Sequence, residues 1–248
     1  MVWSEFFSFA LVGLLAQLVD GALGMAYGLV SSSILLAMGL PPAVASATVH
    51  TAEVMTTGAS AASHAWFGNV RWRLFRQLAI PGAIGGILGA TVLANVPGEI
   101  IRPYVNIYLL ILGVMVLLRA LGKRLSRHQV HHNGVLGFVA GLLDSIGGGG
   151  WGPLATSTLI ARGGAVRGTI GSVNAAEFVV TVCVAATLAF HIGIQHWSIV
   201  LGLLAGGVIA APVAAWLVRH LPEKAVMIAV GTLIVLISAG QLLHRWLS

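Results

Sequence analysis

The sequence predicts an all-α polytopic membrane protein with an internal inverted repeat, each half a broken or re-entrant helical hairpin plus three transmembrane helices. Composition carries the first part of that prediction. Of 248 residues, 58% are hydrophobic and only 8% charged, far from the roughly 25% charged of a soluble domain. Duplication carries the second part. The stretch from Asp20 to Glu53 recurs from Asp144 to Glu177 at a constant offset of 124 residues, which pairs Gly24 with Gly148, Tyr27 with Trp151, Gly28 with Gly152, Ser33 with Ser157 and His50 with Asn174. The placement of charge, taken up below, carries the inversion. The expected organisation is a first membrane repeat over 1–122, a basic cytoplasmic linker over 123–132 and a second membrane repeat over 133–248.

The first apolar stretch, residues 6–38, is interrupted by Asp20, Gly21, Gly24 and Gly28, leaving two arms that are each short for a full crossing. Glycine tolerates unusual backbone angles, so the interruption reads as a re-entrant hairpin or an unwound helix. Pro41 and Pro42 start the next helix, which runs to about Trp66 and carries His50 and Glu53. After a basic loop from Gly68 to Arg76 comes a helix from Gln77 to about Ala94, whose Gly82, Gly85, Gly86 and Gly89 permit close helix contact. A further span covers about Ile100 to Leu118, and the polar segment Arg119–His132 joins the halves. The second half repeats the plan with a break within 134–161, an acidic helix over about 168–190, a small-residue helix over 198–218 and a last span ending near Leu243. Trp72 and Trp197 are expected interfacial anchors, and Cys183 a small core residue with no partner for a disulfide.

Lys and Arg concentrate in the loops at 68–76, 119–132, 162–167 and 219–224, whereas those at 38–42, 95–99 and 191–197 have none. The positive-inside rule makes the first group cytoplasmic, with both termini outside. Loops equivalent by the repeat then lie on opposite sides, which requires an odd number of crossings per half and hence inversion. The same placement gives the basic residues a topological role, and no nucleic-acid partner is expected.

In an inverted repeat the two breaks converge inside the bilayer, where unwound backbone must be buried in protein or line a cavity. The run Gly147–Gly150 can present successive N–H groups at a helix start, an arrangement that attracts an oxyanion. Candidate substrate-binding residues are therefore Gly24, Tyr27, Gly28, Gly147, Gly148, Gly149, Gly150 and Trp151, with Ser33, Ser157, His50 and Asn174 beside them. A carboxylate within an apolar span costs about 2.5–3.5 kcal/mol on the insertion scale. Two at equivalent positions, Glu53 and Glu177, point to proton or ion coupling. Asp20 and Asp144 join that set, although capping of the second hairpin arm is their favoured role. His50 and Glu53 share a helix face at a spacing that could hold a metal, but Asn174 with Glu177 is a poorer pair. No metal or other cofactor is expected.

These residues also carry a family resemblance. The duplicated glycine breaks DGALGMAYG and DSIGGGGWG, the polar helix TVHTAEVMTTGASAASHAWFGNVRW over 48–72, and GGGGWGPLATSTL over 147–159 together resemble the sulfite exporter TauE/SafE family of membrane transporters. The first break lacks the glycine run and the following proline that the second keeps as Pro153. The resemblance implies export of sulfite, an organosulfonate or a related small oxyanion across a bacterial cytoplasmic membrane, and with no nucleotide-binding segment in the sequence the expected mechanism is secondary, driven by an ion gradient, of protons or sodium, or by the substrate gradient. Four intramembrane acids and no mid-span Lys or Arg leave a cation transporter as the alternative. A scaffold or an enzyme fits less well, since a scaffold needs no duplicated acids and Cys183 has no nearby histidine to serve as base.

Overall fold

A computed structural model of the chain describes residues 3–23, 27–122, 132–156, 158–159, 166–217 and 223–247. Helices α1 (Trp3–Leu23), α2 (Tyr27–Ala37), α3 (Pro42–Trp66), α4 (Trp72–Asn95) and α5 (Gly98–Ala120) make the first half. The second contains α6 (Asn133–Gly147), a π turn (Gly152–Thr156), α7 (Val166–Ile192), α8 (Trp197–Leu217) and α9 (Glu223–Leu247). No strand occurs among the described residues. Four segments, Trp72–Asn95, Gly98–Ala120, Gly168–Ile192 and Met227–His244, are long and apolar enough to cross a bilayer. Helix α3 is as long as these, yet its Ser, Thr, His and Glu side chains set it apart in polarity. The protein is an all-α, multi-pass membrane protein.

Side-chain contacts give the direction of each helix. Gly58 of α3 lies against Phe178 of α7, Ser60 bonds Asn174, and Asn69 just beyond α3 packs on Gly171. The two helices therefore run antiparallel. So do α5 and α9, where Asn106 meets Gln241, Gly113 meets Ile234 and Leu117 meets Gly231. Because α3 and α7 begin in the duplicated stretch, and α5 and α9 are the closing spans of the two halves, the second half is inverted relative to the first. Helices α4 and α6 run parallel through Leu78–Gly137, Gly82–Gly141 and Gly89–Ser145, and α1 and α8 repeat that contact through Phe6–Gly202 and Ala10–Gly206.

Both hairpins are re-entrant. Asn133 at the start of α6 donates from Nδ2 to Gln77 Oε1 near the start of α4 at 2.9 Å, and Gly168 at the start of α7 lies beside Arg71 at that same end. The chain between 133 and 168 thus enters and leaves on one side. In the first half, Ser198 at the start of α8 donates to Glu5, while Arg102 donates to the carbonyls of Gly39 and Leu40 at 3.0 and 2.9 Å, so residues 5 and 40 share the opposite side.

The glycines of α4 serve two neighbours at once. Residues four apart share a helix face, so Gly85 and Gly89 meet α6 while Gly82 and Gly86 meet Val180 and Val184 of α7. Aromatic side chains mark the two membrane faces. Trp66, Phe67 and Trp72 are exposed at one, and Trp3, Phe190 and Trp197 at the other, as expected of interfacial belts.

Some boundaries differ from the sequence expectation. Helix α4 begins at Trp72, not Gln77, and takes Arg73 and Arg76 into its first turns. Both are exposed, and their long stems carry the charge beyond the apolar zone. Helix α1 continues through Asp20 and Gly21 to Leu23, so the first interruption falls later than those residues. After the second break the chain forms a π turn rather than a regular helical start, in keeping with Pro153, which removes an N–H from the ladder. Cys183 is only half-buried and does not belong to the core. The linker from 123 to 131 lies outside the described residues.

Asn106 is a polar residue inside an apolar span that the sequence reading passed over. Its Nδ2 donates to Gln241 Oε1 at 3.1 Å and ties α5 to α9. Such interhelical bonds are worth about 1 kcal/mol in a membrane, so Asn106→Leu should lower the midpoint of thermal unfolding measurably while leaving assembly intact. A midpoint equal to that of the wild type would show that the bond does not stabilise the pair.

Candidate functional site

The two breaks meet. A Cβ built on Gly28 would lie 2.8 Å from the Gly148 carbonyl oxygen, 2.8 Å from Gly149 Cα and 3.0 Å from Glu53 Oε1. One built on Gly149 would overlap the Gly28 carbonyl carbon and the Leu29 nitrogen. Backbone therefore packs on backbone where the halves touch, with Glu53 beside the contact. Gly24, Ser157 and the side chain of Asp20 lie outside the described residues.

The second break is built by short-range bonds from both halves. Gly148 ends α6 in the left-handed region, with φ 69° and its N–H donating to the Asp144 carbonyl at 2.7 Å, a C-cap that glycine adopts without steric cost. Ser32 of α2 donates to the Gly148 carbonyl, and Ser46 of α3 donates to the Ser145 carbonyl at 2.6 Å. Asp144 Oδ1 then accepts the Trp151 N–H at 3.0 Å, capping the segment after the break. The acceptor at this N–H group is thus an oxygen of the protein's own carboxyl group.

Trp151 is fully buried, with its indole N–H donating to the Val173 carbonyl at 3.1 Å and its ring against Gly82. Both of its N–H groups are used inside the protein, so it shapes the site through its ring. Tyr27, its counterpart in the first copy, donates to the Leu203 carbonyl at 2.9 Å and lies against Gly207. Each aromatic residue fills the gap opposite a glycine of the other half's small-residue helix.

Several hydroxyls near these elements have no hydrogen-bond partner among the described residues: Ser31 and Ser33 on α2, Thr156 in the π turn, Thr181 on α7 and Tyr108 on α5. Buried hydroxyls are normally paired. Tyr108 is the most informative, because its ring lies against Gly147 and its oxygen is in close contact with Gly150, at the very turn of the second break. The sequence reading missed it. Its span holds two tyrosines, Tyr104 and Tyr108, and the corresponding span of the second copy holds none, so the duplication did not single it out.

Glu53 stands at the middle of α3 and is 7% exposed, while Glu177 stands near the middle of α7 and is half-buried. Asn174 donates to Ser60 Oγ at 3.1 Å and so bridges α7 to α3. His50 is completely buried one turn before Glu53. Its Nδ1 lies 2.9 Å from the Ser46 carbonyl, and its Nε2 lies 3.2 Å from Asp144 Oδ2 in the second half. The structure thus brings together Gly28, Glu53, His50, Asp144 and Gly147–Trp151. Among the described residues no group of three His, Cys, Asp or Glu side chains is arranged to hold a metal ion.

Comparison with known proteins places the chain among membrane transporters. A family model described as sulfite exporter TauE/SafE matches residues 9–240. The chain is 46% identical over 250 residues to a Bacillus subtilis (strain 168) protein named probable membrane transporter protein YtnM, covering 97% of this chain and 83% of that one. No solved structure matches it. With re-entrant breaks meeting between inverted halves and a family match across nearly its whole length, the chain belongs to the sulfite exporter TauE/SafE family of membrane transporters.

Proposed function

We propose that the protein is a secondary carrier that moves small oxyanions, sulfite, an organosulfonate or a chemical relative, across the cytoplasmic membrane of a bacterium. The observation that carries this reading is the unpartnered Tyr108 hydroxyl on Gly150, next in the chain to Gly149, which meets the first break at Gly28. A hydroxyl and glycine backbone are donors suited to an oxyanion that has left water, and the family match supports the substrate class. In this reading Gly24, Gly28 and Gly147–Gly150 contact the anion, while Tyr27 and Trp151 set the shape of its site. Ser33, Ser157, His50 and Asn174 complete the polar lining. The basic loops face the cytoplasm and both termini face outward.

Glu53 and Glu177 are the coupling residues of the proposal, with protons or sodium as the coupling ion. Neutralising a buried carboxylate removes the repulsion an incoming anion meets, so uptake of the ion and of the anion support one another. Glu53→Gln and Glu177→Gln should each abolish the response of flux to an imposed ion gradient while leaving insertion intact. Unchanged gradient response in both variants would remove them from the mechanism.

Cation transport is the second reading, favoured by two acids, Asp144 and Glu53, lying buried at the break contact. Flux into proteoliposomes decides between the two. Saturable flux of sulfite, a sulfonate or sulfate supports the anion carrier, whereas flux of sodium or a divalent cation with none of these anions overturns it.

A further inference from the structure

The hydrogen-bond inventory around His50 leaves one proton unassigned. Ser46 has a single hydroxyl proton, and the 2.6 Å contact to the Ser145 carbonyl takes it. His50 Nδ1 lies 2.9 Å from the Ser46 carbonyl and 3.2 Å from the Ser46 oxygen, so Nδ1 must carry hydrogen and donate. The neutral ring then presents a bare lone pair at Nε2. Yet Nε2 faces Asp144 Oδ2 at 3.2 Å, in a place where His50 is 0% and the Asp144 side chain 5% exposed. Two lone pairs do not hold that contact in a dry site. A proton must lie between them, on the imidazole or on the carboxyl.

We infer that His50 and Asp144 form a proton-binding site joining the two halves, and that loss of this proton releases the second glycine break. The release follows from the other oxygen of the same carboxylate. Asp144 Oδ1 caps the Trp151 N–H, so a displacement of Asp144 from His50 is felt directly at Gly147–Trp151. With the proton present, α3 of the first half holds the tip of the second through His50–Asp144 and Ser46–Ser145 together. Without it, the first of these contacts becomes repulsive.

At the equivalent sequence positions of the other copy stand Asp20 and Asn174, and an asparagine amide carries its donors at any pH. Ser46 and Ser145 are likewise replaced by Ile170 and Gly21 in the other copy. Other ionisable groups around the pair are Glu53, one turn further along α3 and beside Gly28, and Tyr108 on α5, which lies within electrostatic reach of Asp144, while Arg73 and Arg76 of α4 stay at its exposed start. Proton binding by the pair rests on geometry alone. Its consequence for flux rests on the carrier reading, and differs from gradient coupling because it responds to pH that is equal on both sides.

Hydrogen exchange in lipid nanodiscs tests the proposal without a substrate. When the pH is raised from about 5 to about 8, exchange in residues 145–156 of the wild type, corrected for the intrinsic rate, should rise by ~tenfold or more. His50→Asn, which installs the residue of the other copy, should flatten that dependence, whereas Glu53→Gln should retain it. A flat wild-type profile, or pH dependence that persists in His50→Asn, would overturn the inference. Nitrogen-15 NMR of histidine-labelled wild type covers the case in which the variant fails to fold. The nitrogen-15 signals of the His50 ring should move as the proton shared with Asp144 is lost, whichever partner carries it, and ring signals unchanged throughout would also overturn the inference. Sulfite flux at equal internal and external pH separates the two claims: absence of flux of sulfite, sulfonate and sulfate at every pH refutes the carrier reading but leaves the exchange result to judge the proton site.

Discussion

Gly149→Val should reduce anion flux by about a hundredfold or more, the equivalent of nearly 3 kcal/mol, in protein that still inserts into the membrane. A Cβ at Gly149 would overlap the backbone of Gly28 and Leu29, atoms that cannot turn aside as a side chain can. The halves would have to separate where the two breaks touch. Such overpacking commonly costs 1–3 kcal/mol even where side chains can give way. The effect should be graded, with Gly149→Ala retaining more flux than the valine variant. Gly240→Ala is the matched control, because nothing lies within 4 Å of a Cβ there. Flux in proteoliposomes and binding of radiolabelled sulfite should fall together. Unchanged affinity in Gly149→Val would show that the glycine contact lies away from the ligand.

Much of this arrangement was legible because it is written twice. The 124-residue offset located both breaks, and the alternation of basic and bare loops implied the inversion that the contacts of Gly58 with Phe178 and of Asn106 with Gln241 now display. Asp144 was legible as a cap because a short acid near a break has few other uses. The partnership of His50 with Asp144 was not, since it joins positions 94 residues apart in different halves. Nothing local to either residue encodes that contact. Its copy is no guide either, because Asn174 bonds Ser60 instead. Tyr108 was hidden for a related reason: its role depends on α5 passing the turn at Gly150, a matter of packing rather than of motif. The start of α4 was misplaced because Arg73 and Arg76 read as loop, although long side chains allow a helix to begin among them.

The second large effect concerns assembly. Gly141→Leu should abolish monodisperse protein, because α4 and α6 pack backbone to backbone along most of their shared length. A Cβ at Gly141 would overlap the Gly82 carbonyl oxygen, with the carbonyl carbon at 2.9 Å and Cα at 3.0 Å. Helix α4 cannot retreat to make room, since its other face is filled by Trp151, Val180 and Val184 against Gly82 and Gly86. Moving it would also uncouple Trp151 from the second break. In lipid no hydrophobic force drives helices together, so close small-residue packing carries the association. Gly206→Leu should fail in the same way, because Ala10 of α1 meets it as Gly82 meets Gly141. Gly134→Ala should assemble normally, its nearest neighbour being Pro81 at 3.6 Å. Size-exclusion profiles of the detergent-extracted variants distinguish these outcomes, and a wild-type profile for Gly141→Leu would mean that α4 and α6 separate without cost.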